Sequence, residues 1–119
     1  MHNYKELRVW KEARALVKIV YCLTEQFPKH ELFGLSSRMR RAVISIPSNI
    51  AEGAGRTSEV DFSRFLDIAN GSAFELEAQL YLASDIEFIE EKKLQDILPL
   101  VEDIQKMLHS LKKTIIRLR

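Results

Sequence analysis

Apolar residues recur along this chain at steps of three and four while polar residues fill the remaining faces, and that spacing predicts helices. The cleanest pattern is Leu94, Ile97, Val101, Ile104, Leu108, Leu111, Ile115 and Leu118, a heptad seam of the kind that packs at shallow crossing angles in bundles. It predicts a helix over about 91–118, with Pro99 in the first turns, where a missing donor costs least. Upstream, Phe62, Phe65, Ala69, Ala73, Leu76, Leu80 and Ala83 form the core seam of a helix over about 59–85, capped at Thr57 or Ser58. Its length comes to about 40 Å at 1.5 Å per residue. A glycine in mid-helix costs up to about 1 kcal/mol, yet the apolar register runs unbroken across Asn70, Gly71 and Ser72. A small residue there can let another helix pass close.

The first helix is expected over about 7–26. Trp10, Ala13, Val17, Val20, Thr24 and Phe27 make one stripe, and Val9, Leu16, Ile19 and Leu23 make a second beside it. Two stripes are wider than one bundle seam requires, so either this helix is central or its outer edge meets another subunit. Lys5, Arg8, Lys11, Arg14 and Lys18 share the remaining face, as a solvated surface or as a stripe facing phosphate. Pro28 and Gly34 bracket the connection, after which Ser36 is expected to cap a helix over about 36–55.

That second helix organises the rest. Leu35, Met39, Ala42, Val43, Ile46, Ile50 and Ala54 face a core, while Arg41, Ser45, Ser48, Asn49, Glu52 and Arg56 line another face. Pro47 interrupts it, removing a backbone donor and crowding the carbonyl of Val43 at about 3 kcal/mol in an ordinary helix interior. Either the kink lets a neighbouring helix approach over Pro47, Ala51, Ala54 and Gly55, or it aims Ser45, Ser48 and Asn49 at a partner. The two readings are compatible. Gly53 and Gly55 are expected to end the helix, since glycine alone takes positive φ without steric cost. Four helices with short connections define an all-α fold, an antiparallel up-and-down four-helix bundle in one domain spanning 1–119.

Composition agrees with a globular helical domain: 46% hydrophobic and 29% charged residues, with four glycines and three prolines among 119 residues, are poor in turn formers. The single cysteine, Cys22, has no internal disulfide partner and is expected to be a buried thiol. No apolar run nears the roughly 20 residues of a membrane span, and the start MHNYKELR lacks the apolar block of a secretion signal, so the expectation is a cytoplasmic protein without membrane contact. Net charge is only +1 but unevenly spread. Residues 1–56 carry ten Lys and Arg against five Asp and Glu, residues 57–91 one against nine, and residues 92–119 seven against three, so +5, −8 and +4 sum to +1. Such segregation makes either separate basic and acidic surfaces or complementary charge between helices of one bundle.

The run RRAVISIPSNIAEGAGR, with FGLSSRMR before it and Tyr4-Lys5-Glu6-Leu7-Arg8-Val9-Trp10 near the start, closely resembles the bacterial four-helix bundle proteins encoded by intervening sequences within 23S rRNA genes. Those proteins are in turn similar to the accessory variability determinant proteins of diversity-generating retroelements. The resemblance covers essentially the whole chain. It implies an all-helical bundle that assembles into a barrel-like homopentamer and handles RNA or DNA, and for the retroelement relatives a reverse transcriptase as protein partner. It implies no particular enzymatic activity.

The residues point the same way. A di-iron bundle needs Glu-x-x-His pairs on facing helices, but His2, His30 and His109 are isolated and none follows a glutamate by three. No metal or cofactor is therefore expected. Ser45, Ser48 and Asn49 have no histidine or lysine beside them in sequence to serve as a base, so a non-catalytic role is expected. Binding remains. Arg38 and Arg40 are candidates for phosphate contact. Arg41 is expected to join Ser45, Asn49 and Glu52 in a polar network that, with Pro47 and Gly53, holds the bundle or a subunit interface, since arginine's planar fork matches carboxylate and amide oxygens. Lys112, Lys113, Arg117 and Arg119 either complement the helix dipole or form a basic rim for nucleic acid. The competing function is a scaffold that docks a basic protein.

Overall fold

Four helices carry the chain: α1 (Arg8–Glu25), α2 (Leu35–Ala54), α3 (Glu59–Asp85) and α4 (Glu91–Arg117). The computed structural model describes residues 1–117. Among the described residues, α1 lies against α2 and α4, α3 lies against the same two, and the backbones of the diagonal pairs, α1 with α3 and α2 with α4, are not adjacent. With connections this short, each helix runs antiparallel to the next, giving an all-α up-and-down bundle of 47 × 24 × 19 Å.

The interior follows the helical spacing closely on α2 and α4. Met39, Ala42, Val43, Ile46, Ile50 and Ala54 are buried on α2, and Leu94, Ile97, Val101, Ile104, Leu108 and Ile115 on α4, where Leu98 joins them. Leu111 is half-buried, and Leu118 lies outside the described residues. On α3 the seam shifts by one at a single point: Leu66 is buried where Phe65 was expected, and Phe65 stands half-buried under the Arg56 guanidinium at 4.8 Å. On α1 the stripe facing the core is Val9, Ala13, Leu16, Val20 and Leu23, while Trp10, Val17 and Ile19 are half-buried edges packed against it. That rotation corrects the reading of Cys22. It falls on the outer face and is exposed.

The ends are closed by side chains more than by glycines. No glycine has positive φ. Ser36 does not cap α2 but is buried in its first turn; Gly34 is the cap residue, and Glu31 Oε2 accepts from the Leu35 N–H at 3.3 Å. Ser58 caps α3, accepting from the Asp61 N–H at 3.2 Å. Gly53 stays inside α2 and is buried, because α3 crosses there: a Cβ would stand 2.6 Å from Phe65 Cβ. Gly55 follows as an exposed C-cap with φ −81°. At the other end of α3, Glu87 takes φ 63°, and the Phe88 N–H donates to the Ala83 carbonyl at 2.8 Å. This is the 6→1 bond of a Schellman turn. It folds Phe88 onto Phe27 with ring centroids 5.3 Å apart, sealing that end. Because a glutamate sits where glycine is favoured, Glu87→Gly should stabilise the fold by about 0.5–1 kcal/mol in denaturant melts.

The residues before α1 anchor the opposite end. The His2 N–H donates to the Ala54 carbonyl at 2.8 Å, and His2 Nε2 lies 3.1 Å from Glu59 Oε1. Its ring packs on Phe62 at 4.9 Å. His2 thus satisfies a last-turn carbonyl of α2 and a first-turn carboxylate of α3 together.

Candidate nucleic-acid and subunit interface

The polar face of α2 splits into three separate arrangements. Asn49 Nδ2 donates to the Ser45 carbonyl at 2.8 Å and to Ser45 Oγ at 2.9 Å, and the Ser72 hydroxyl of α3 donates to the same Ser45 Oγ at 2.8 Å. Ser45 therefore ties α2 to α3 two residues before Pro47, and its own proton remains for a further acceptor. Glu52 pairs with Arg56 at 3.2 Å instead of with Arg41. Arg41 is exposed and has no hydrogen bond or ion pair among the described residues, so within one chain the expected network is reduced to Ser45 and Asn49, without Arg41 or Glu52.

Arg40 is corrected in the other direction. Its Nε donates to Thr24 Oγ1 at 2.8 Å and its guanidinium lies 4.8 Å over the Tyr21 ring, so it clamps α2 to α1. Thr24 in turn donates to the Val20 carbonyl at 2.8 Å. A partly desolvated cation stacked on an aromatic face is a packing element, not a free phosphate ligand. Arg40→Ala should lower stability by about 1–2 kcal/mol, the loss of a charged hydrogen bond and a stacking contact, and leave any salt-dependent RNA affinity unchanged.

Arg38 and Arg41 remain exposed side by side on the α2 wall of an open groove whose α3 wall carries Glu75 and Leu82 and whose floor includes Ser45, Ser72 and Gln79. Gln79 is only 8% exposed, and its Oε1 has no donor among the described residues. The basic residues of α4 lie elsewhere. Lys112 donates to Asp67 Oδ1 at 2.8 Å and Oδ2 at 2.9 Å, while Lys113 and Arg117 are exposed. Arg119 is outside the described residues. Because α2 and α4 are diagonal and both start at the same end, Arg38 and Arg41 stand roughly 13–28 Å from Lys112–Arg117 along the bundle axis, as the Ser45–Ser72 and Lys112–Asp67 contacts on α3 require. One chain therefore offers two small cationic sites, not one patch.

Exposed apolar side chains occur singly or in pairs at Leu32, Phe33, Ile44, Ile86, Leu100 and Ile116, and along a whole face on α3. Val60, Ile68, Phe74, Tyr81 and Leu82 are 43–54% exposed, on the side opposite Phe62, Leu66, Ala69, Ala73 and Leu80. The first helix, whose double stripe suggested a subunit contact, has most of that surface covered by its neighbours within the chain. In sequence the signal was present, since α3 carries apolar residues all round, but the burial of one stripe hides the other until the packing is known.

Fold and surface together define an all-α bundle whose polar side chains line open grooves and whose third helix is apolar on both sides. The chain belongs to the 23S rRNA-intervening sequence protein family, whose model matches residues 5–110. A crystal structure of a protein of unknown function from the S23 ribosomal protein family, from Bacteroides thetaiotaomicron VPI-5482, is similar at a TM-score of 0.82 and 27% identity. The match covers 88% of this chain and 98% of that one. No curated protein matches significantly.

Proposed function

We propose that this protein is a non-catalytic, cytoplasmic homo-oligomer of four-helix bundles, a pentamer by its family resemblance, that binds RNA through repeated cationic sites. The observation that carries the reading is an uncovered apolar face on α3 in a chain that also leaves Arg38 and Arg41 without carboxylate partners. Apolar surface of that extent on one helix is the mark of an interface. Assembly then multiplies a weak site, so that avidity exceeds what one subunit of net charge +1 provides.

Base stacking should contribute little, because Phe27 and Phe62 are core residues, Trp10 and Tyr21 are engaged by Arg14 and Arg40, and the exposed Phe74 and Tyr81 belong to the apolar face of α3, leaving the exposed loop residue Phe33 as an isolated aromatic. Binding should therefore be weakly sequence-specific and steeply dependent on salt. No helix among the described residues is long and apolar enough to cross a membrane. Filter binding to a structured RNA at low and moderate salt tests the proposal. Retention at low salt that collapses at moderate salt is the expected result, and no retention at low salt overturns it.

A further inference from the structure

The outer faces of α1 and α3 complement one another but cannot meet within one chain. On α1, Lys11, Arg14 and Lys18 are exposed along one side, with the small exposed residues Ala15 and Cys22 between and after them. None of the three is in an ion pair among the described residues. On α3 the residues from Glu59 to Asp85 include six acids and one base. Glu59 is engaged by His2, Asp61 by Arg64 and Asp67 by Lys112, which leaves Glu75, Glu77 and Asp85 without a cation among the described residues. The two helices are diagonal in the bundle, with backbones that are not adjacent and outer faces on opposite sides. Complementary charge between helices of one chain is thus excluded as the reason for this pattern on α1 and α3.

Gly71 adds an independent mark. It sits mid-way along α3 on the exposed side, and a Cβ built there meets nothing within 4 Å. A mid-helix glycine costs up to about 1 kcal/mol relative to alanine, and no helix of this chain requires it. Exposed Ala78, two turns on, continues the low-relief track between Phe74, Tyr81 and Leu82. Beside the track, buried Gln79 Oε1 lacks a donor. An incoming helix with basic side chains fits all three features.

We infer that the outer face of α3 in one copy docks the basic outer face of α1 in the next copy. The inference rests on the homo-oligomeric reading above and specifies its contact. The apolar stems of lysine and arginine cover the exposed α3 side chains while their heads reach Glu75 and Asp85. Glu75 also stands between the arriving cations and Arg38 and Arg41 on the α2 wall of the groove. Pairing α3 with its own copy would instead bring acids against acids, with Arg64 already held by Asp61. A contact between two different faces is heterologous, so it repeats from subunit to subunit and gives a ring where the rotation between copies closes, an open filament where it does not.

Two double variants at exposed positions separate the faces: Phe74→Glu with Leu82→Glu on α3, and Lys11→Glu with Lys18→Glu on α1. Circular dichroism checks that both fold, and light scattering after size exclusion reads the assembly. Each variant alone should run as a single chain of 13.8 kDa, and an equimolar mixture should give a 1:1 pair and nothing larger, because one intact α1 face then meets one intact α3 face. Should the α3 pair unfold, Glu75→Lys with Asp85→Lys replaces it, and combining those charges with Lys11→Glu and Lys18→Glu in one chain should restore assembly. Variants that keep the wild-type size, or a mixture that stays monomeric after each has dissociated, overturn the α1-to-α3 contact while leaving oligomerisation intact. A monomeric wild type overturns the oligomeric reading itself.

Discussion

Gly53→Ala should destabilise the bundle by about 1–2 kcal/mol, lowering Tm by roughly 5 °C in a thermal melt. The new Cβ would stand 2.6 Å from Phe65 Cβ, 3.0 Å from Phe62 Cδ1 and 3.3 Å from the Phe62 carbonyl. Two of those atoms are fixed to the α3 backbone, so rotamer changes cannot relieve the clash and α2 must move away from α3. Overpacking of this kind typically costs about 1–3 kcal/mol. Helix propensity works the other way by up to about 1 kcal/mol, which sets the net value. The same substitution at Gly71 meets no neighbour and should leave the stability of a single chain unchanged or raised. An unchanged Tm for Gly53→Ala would mean that the α2–α3 crossing is looser than described.

Replacing Arg38 and Arg41 together by alanine should weaken RNA binding at least about tenfold at moderate salt, equivalent to about 1.4 kcal/mol. It should also lower the slope of log affinity against log salt by about 1–2, since each phosphate released from a cation returns counterions. Neither arginine holds the fold together, so melting should not change. Lys113 and Arg117 lie at the far end of the bundle and should contribute independently, their loss adding to that of the arginines. Filter binding across a salt series measures both quantities. Equal slopes for the wild type and the Arg38, Arg41 variant would remove α2 from the RNA site.

Much of the fold was legible because α2 and α4 each bury a single stripe. On α4 the alternation from Leu94 to Ile115 leaves one rotation that hides the apolar residues, and the packing adopts it. Helices with more apolar residues than one seam can bury were harder. On α1, steps of three and four connect Trp10 to Val17 as well as Val9 to Leu16, and only the positions of α2 and α4 decide which row turns inward. Cys22 moved to the surface with that choice, and Leu66 replaced Phe65 on α3 for the same reason.

The candidate site was legible in its residue types more than in its connections. An arginine's partner is set by tertiary structure: Arg40 finds Thr24 and Tyr21 on a different helix, sixteen residues away in the case of Thr24, and no local spacing announces this. His2 is similar, since its carboxylate partner Glu59 lies 57 residues on. Local signals did succeed where the partner is a turn away, as with Asn49 on Ser45 and the Ser58 cap. Whether the basic clusters of α2 and α4 share a surface is not set by sequence spacing either; the antiparallel order puts the start of α2 and the end of α4 at opposite ends.

The claim beneath both the proposed function and the subunit contact is that one bundle leaves apolar surface on α3 that another copy must cover. Light scattering on the purified wild-type protein at micromolar concentration tests this directly. The account predicts a discrete mass several times 13.8 kDa, stable on dilution through that range. A monodisperse species of 13.8 kDa would contradict it.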